Sequence, residues 1–211
     1  MSRRSYHHGN LREALIHAAL ELIAEKGPAG FTIADAARLA EVSPAAPYRH
    51  FRDRDMLMAD IAHRGFELFE ASLARAWNNG APDPLRALAA MGKAYLEFAR
   101  QEHAYYATMF EAGVPADSNP ALGQASDRAF AVLKLAAESI CALLPEPGRP
   151  PALMIALHIW SLSHGIASLF GRGDAARRKL PMTPHDLLEA AVLVYLRGLG
   201  LGQPGVPRPK S

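Results

Sequence analysis

From one glycine or proline breaker to the next, this chain repeats a single pattern: apolar residues recur three and four apart, the period of a helix with one buried face. In "NLREALIHAALELIAEKG", Leu11, Leu15, Ala18, Ala19, Leu22 and Ile23 keep that spacing, with Asn10 placed to cap the start and Gly27 to end it. "FTIADAARLAEVS" predicts a short second helix capped by Thr32, with Ala36, Ala37, Leu39 and Ala40 available for packing. Ser43 is placed to cap a third, whose first position would be Pro44, where the missing N–H costs nothing. A long amphipathic helix follows over 54–78 with Leu57, Ile61, Phe66, Phe69, Leu73 and Trp77, and "NNGAPDP" breaks it. The same period predicts helices over 84–100, 103–111, 119–144, 152–170 and 184–199. No run alternates as a strand does and no internal repeat is present, so the expected fold class is all-α.

Charge divides the chain unevenly. Residues 1–54 hold eight Lys/Arg against six Asp/Glu, whereas the remainder holds fifteen of each, and Arg3, Arg4 and Arg12 all precede the first acid, Glu13. An excess of positive charge at one end suits a polyanionic partner. The lone cysteine, Cys141, excludes an internal disulfide framework and suits a reducing cytosol, so a cytoplasmic location is expected. The basic N-terminus leads into an amphipathic stretch with acids, not an apolar signal core. Segment 152–170 approaches membrane-spanning length, but it contains His158, Ser161, Ser163, His164 and Gly165, so a helix buried in protein is expected and no membrane partner. The tail 201–211 has too little apolar content to fold and is expected to be disordered.

The stretch "EVSPAAPYRHF" carries the sharpest functional signal. Two short helices joined by "AEVS" and preceded by a longer one have helix-turn-helix spacing, in which the second short helix enters the DNA major groove. Small Ala45 and Ala46 behind Ser43 and Pro44 would let the backbone approach and touch thymine methyls. Tyr48, Arg49 and His50 supply donors for phosphates or bases, and Phe51 turns inward as an anchor.

These residues resemble the TetR family of bacterial transcriptional repressors. Thr32, Ala37, Ala40, Val42, Ser43, Tyr48, His50 and Phe51 match its helix-turn-helix in spacing, and "YHHGNLREALIHAALELI" looks like the first helix of one branch. Trp160, His164 and Gly165 in "WSLSHG" are similar to the Trp-His-Gly signature of that branch's C-terminal domain. Glu41 departs from the family's turn glycine, and Arg54 stands where a lysine is common. The resemblance implies an N-terminal three-helix helix-turn-helix DNA-binding domain over 1–54 and a larger helical ligand-binding and dimerisation domain over 55–200. It also implies a homodimer on double-stranded operator DNA and a small-molecule effector. The implied DNA-binding residues are Thr32, Ser43, Pro44, Ala45, Ala46, Tyr48, Arg49, His50 and Arg54, with Tyr48 and His50 on the DNA backbone.

In the larger domain, "YLEFARQEHAYYATMF" concentrates Tyr95, Phe98, His103, Tyr106, Met109 and Phe110, aromatic and polarisable side chains that either fill core or line an apolar pocket. The resemblance places the pocket around these middle helices, which makes them, with Trp160 and His164, the ligand-binding candidates. Trp160 and His164, four apart on one face, read first as a stacked or hydrogen-bonded structural pair. Ala152, Ala156, Ser163 and Ala167 form a small-residue strip, and the family's usual interface places the dimer contact on this helix and the last one. Nine histidines bring no metal-ligand spacing, phosphate loop or nucleophile elbow, so no catalytic residue, metal or cofactor is expected. A helical scaffold with a degenerate helix-turn-helix is the alternative to a regulator, and DNA binding separates the two.

Overall fold

The computed structural model describes residues 11–115, 119–146, 148–171 and 180–201, and these are helical with no strand. The arm before Leu11, the Asn10 cap and residues 202–211 of the tail lie outside the described residues. The helices are α1 (Leu11–Lys26), α2 (Ile33–Leu39), α3 (Arg54–Trp77), α4 (Pro84–Gln101), α5 (His103–Phe110), α6 (Pro120–Cys141), α7 (Ala152–Gly171) and α8 (Pro184–Gly198). Two compact units emerge, one from the chain up to Glu67 with Glu102–Ser126, the other from Leu68–Gln101 with the chain from Asp127 onward.

In the first unit, α1 buries Leu15, Ala18, Ala19, Leu22 and Ile23 of the face given by its spacing, together with Ile16, while Leu11 is half-buried. It stops where Gly27, at φ 78°, adopts a left-handed conformation and donates its N–H to Ile23 O at 2.9 Å. Helix α2 opens on a capping box: Asp35 N donates to Thr32 Oγ1 at 3.2 Å and Thr32 N to Asp35 Oδ2 at 2.8 Å. Such a cap stabilises a helix by about 1 kcal/mol. Leu39, expected in the core, is exposed, because only Ile33, Ala36 and Ala37 of this short helix face inward. Leu57, Met58 and Ile61 of α3 complete the core with Phe31 and Phe51, and α5 packs on α1.

In the second unit, α7 packs on α4 and α8, and α4 also meets α8. Helix α7 is long and apolar enough to cross a membrane, the one such helix among the described residues, and a third of that span is buried. Its buried face is Ile155, Ala156, Ile159, Ser163, Ile166 and Ala167. The small-residue strip expected to face a partner is therefore closed inside the unit at Ala156 and Ser163, because small residues are what let α4 and α8 approach. The face left open carries Leu153, Met154, Leu157 and Leu169, so within its own unit α7 is buried on one side only.

Candidate nucleic-acid interface

The connection after α2 is a Schellman turn: Val42 N donates to Ala37 O at 3.0 Å and Glu41 N to Arg38 O at 3.1 Å. It requires a left-handed residue, and Glu41 occupies that position at φ 56°. A non-glycine residue there costs roughly 1 kcal/mol.

Beyond the turn, the expected α-helix from Pro44 is replaced by a 3-10 helix at Pro47–Arg49. The cause is Pro47. Lacking an N–H, it cannot bond to Ser43 O, which instead accepts from Ala46 N at 2.9 Å. Arg49 N then donates to Ala46 O at 3.2 Å and His50 N to Pro47 O at 2.9 Å, so three-residue turns continue. Ser43 thus serves through its carbonyl, Pro44 is not a first helical residue, and Ala46 precedes the 3-10 turn without a side-chain cap. Pro47 and Phe51 are buried and pin this segment from both ends. Tyr48 (58 % exposed), Arg49 and His50 project outward, beside exposed Ser43, Pro44 and Ala45 and half-buried Ala46. Thr32 is exposed, with its hydroxyl engaged in the α2 cap.

Cations tie the surrounding elements together, and one of them also reaches Phe51. Arg12 of α1 bonds Asp60 of α3, and its guanidinium lies over the Phe51 ring at 5.8 Å. Arg64 makes a bidentate bond to Glu13 at 2.5 and 2.6 Å and sits 3.5 Å from Asp60. Hydrogen bonding from Arg64 holds the Glu13 carboxyl below the usual carboxylate range, against the opposing effect of burial. Arg54 donates to Phe31 O at 3.1 Å and to Pro28 O, and stacks over Phe31 at 4.8 Å. Its donors are turned toward the α1–α2 connection. The sequence reading missed Arg12, Asp60 and Arg64 as a set. Their carboxylate and guanidinium types were visible, but pairing across 48 and 51 residues was not.

The ligand-binding candidates separate. Tyr95, Phe98, Trp160 and His164 lie in the second unit, and His103, Tyr106, Met109 and Phe110 in the first. Tyr95, Phe98 and Tyr106 are buried; the others are half-buried. Tyr95 OH and His164 Nδ1 are 3.1 Å apart, Trp160 lies 6.1 Å from the His164 ring, and Phe69 stands edge-on to Tyr95 at 5.0 Å. Phe110 contacts Phe66 at 5.6 Å and Tyr106 at 4.9 Å, while Met109 lies against Gly65. A cavity of about 270 Å³ between α4 and α8 and another of about 470 Å³ between residues 52–59 and residues 112–115 and 119–120 are lined by none of the eight. Among the described residues, no group of three or more His, Cys, Asp or Glu could hold a metal ion.

Comparison with known proteins agrees with this geometry. Residues 15–61 match the family model described as bacterial regulatory proteins, tetR family. Residues 88–195 match the tetracyclin repressor-like C-terminal domain. No curated protein matches the chain. A solved structure of a protein with unknown function from Rhodococcus sp. RHA1 is 31 % identical, with 93 % of this chain and 98 % of that chain covered and a TM-score of 0.75. The TetR family transcriptional regulator PfmR from Thermus thermophilus has the same fold at 19 % identity, covering 88 % and 98 %, with a TM-score of 0.68. The fatty acid degradation regulator FadR from Bacillus halodurans does so at 13 % identity, covering 88 % and 94 %, with a TM-score of 0.67. An all-helical chain with a helix-turn-helix head, matched by both family models, belongs to the TetR family of DNA-binding transcriptional regulators.

Proposed function

We propose that this protein is a ligand-responsive repressor that binds a palindromic operator as a cytoplasmic homodimer and leaves it when a small-molecule effector occupies the larger domain. The observation that carries the reading is the segment Pro47–Phe51, anchored by buried Pro47 and Phe51 and exposing Tyr48, Arg49 and His50. Tyr48 and His50 meet phosphates, Arg49 and the small Ala45 and Ala46 approach base edges, and Thr32, Ser43 and Pro44 border the groove. Arg54 acts as a positioning residue, since its guanidinium already serves Phe31 O and Pro28 O. The head corresponds to residues 1–54, the effector and dimer domain to 55–200, and 201–211 is a tail.

The open face of α7 supports the homodimer. Leu153 (49 % exposed), Met154 (46 %) and Leu157 (41 %) lie on a helix that carries no Asp, Glu, Lys or Arg. Val194 of α8 is 71 % exposed, and the His158–Tyr195 hydrogen bond at 3.0 Å joins the two helices. An apolar surface of this kind is ordinarily covered by a partner. The Trp160–His164 contact beside Gly165, with His164 held to Tyr95, supports membership of the Trp-His-Gly branch. Of the effector candidates, Tyr95, Phe98, Trp160 and His164 belong to the second unit, and the proposed effector contacts are assigned to them there.

The test is salt-titrated binding to the DNA upstream of the protein's own gene. Specific binding whose logarithm falls linearly with the logarithm of salt concentration is expected. Absence of any affinity above that for random duplex would instead favour a scaffold.

A further inference from the structure

Helix α4 presents small residues where it passes α8. Ala89 and Gly92 both line the space between the helices, and a Cβ on Gly92 would stand 3.1 Å from Leu188 Cδ2. The helices therefore touch closely at that point, while a groove of about 270 Å³ stays unfilled along the seam. Its apolar walls include Leu88 of α4, Ile159 of α7, and Leu188 and Leu196 of α8. Buried Ser163 is also part of the wall, but its hydroxyl already donates to Ile159 O at 2.9 Å and demands nothing of an occupant. Unfilled apolar walls hold water poorly and gain from covering aliphatic surface.

Charge is confined to the rim, and it is asymmetric. Arg86 and Lys93 line the groove seven residues apart on α4, which places them on one face. Across from them α8 supplies His185 and Glu189, which lie 3.9 Å from each other. Asp83 and Glu97, the i,i+3 and i,i+4 partners of Arg86 and Lys93 at 3.4 and 3.7 Å, do not line the groove. Both pairs are exposed and water-screened, so an incoming anion competes with them readily. Val194, the most exposed apolar residue of α8, does not line the groove, and the α7 residues that do are buried ones. The groove is thus distinct from the open face of α7.

We propose that the α4–α8 groove binds an amphipathic monocarboxylate, its aliphatic tail against Leu88, Ile159, Leu188 and Leu196 and its carboxylate on Arg86 and Lys93. Two basic side chains against one carboxylate select the anionic head, and the walls select the tail. The site lies apart from the aromatic candidates and stands whether or not those bind an effector.

Isothermal titration of the full chain with octanoate and with 1-octanol tests this. Octanoate is expected to bind roughly five- to tenfold more tightly than octanol, and the double variant Arg86→Gln/Lys93→Gln to remove that difference while leaving octanol unchanged. Ala89→Phe, at an exposed helical position where circular dichroism should report an intact fold, is expected to weaken both ligands about tenfold by filling the groove. The proposal is overturned if neither ligand binds, if octanol binds as well as octanoate, or if the double variant keeps the preference. Unchanged affinity in Ala89→Phe would place any binding elsewhere. DNA plays no part in the readout, so failure here leaves the regulator reading intact.

Discussion

Glu41 is where the head accepts backbone strain, and it makes a direct residue-scale test. Its φ of 56° follows from the Schellman bonds of Val42 and Glu41 to Ala37 and Arg38, which the chain needs in order to turn between α2 and the exposed segment. Glu41→Gly should raise stability by about 0.5–1 kcal/mol, read as a higher urea midpoint at unchanged slope. A lower midpoint would mean that the side chain contributes more than the strain removes. This feature was legible, because "AEVS" matches a known turn and glutamate has no exemption from left-handed strain. The segment after it was half legible. Ser43–Pro44 carries a strong helix-start signal and Pro47 a contrary one, and the missing Pro47 N–H decided between them in favour of three-residue turns. At Tyr48, removal of the hydroxyl in Tyr48→Phe should weaken binding to all operator variants by a similar factor, measured by fluorescence anisotropy, since phosphate contacts carry no base information. Selective loss on some sequences would assign Tyr48 to base readout.

Between elements, the bond from Arg64 to Glu13 ties α1 to α3 and makes the head acid-sensitive. Glu13 is held below its ordinary pKa in the folded chain, so its contribution is complete above the unfolded value of about 4.3 and disappears as pH falls through the lower folded value. The gap in thermal midpoint between wild type and Glu13→Gln should therefore be widest near neutrality and narrow on acidification below the ordinary carboxylate range. A gap that widens on acidification would contradict the assignment. Helix identities and most of their limits followed from periodicity, which the packing respected. What periodicity could not supply was which face of α7 meets its own chain and which stays open, because leucine and isoleucine recur on both faces and Ser163 lies on the buried one. The small residues pointed to close helix approach, and the approaching helices proved to be α4 and α8.

For the whole molecule, the two faces of α7 predict opposite phenotypes. Ala156→Arg puts a charge into a fully buried position and should unfold the second unit, since an unpaired buried charge costs several kcal/mol. Leu157→Arg alters the open face, so the chain should stay folded by circular dichroism, sediment as a monomer and lose operator affinity. A folded, dimeric Leu157→Arg protein would put the interface elsewhere. The central claim, a dimer presenting two copies of the Tyr48–His50 surface to duplex DNA, is tested most directly by selection from random duplexes with purified protein. Enrichment of a palindrome, with half-sites separated by about one helical turn or a multiple of it, is the expected result. Enrichment of an asymmetric single site, or of no sequence at all, would contradict it.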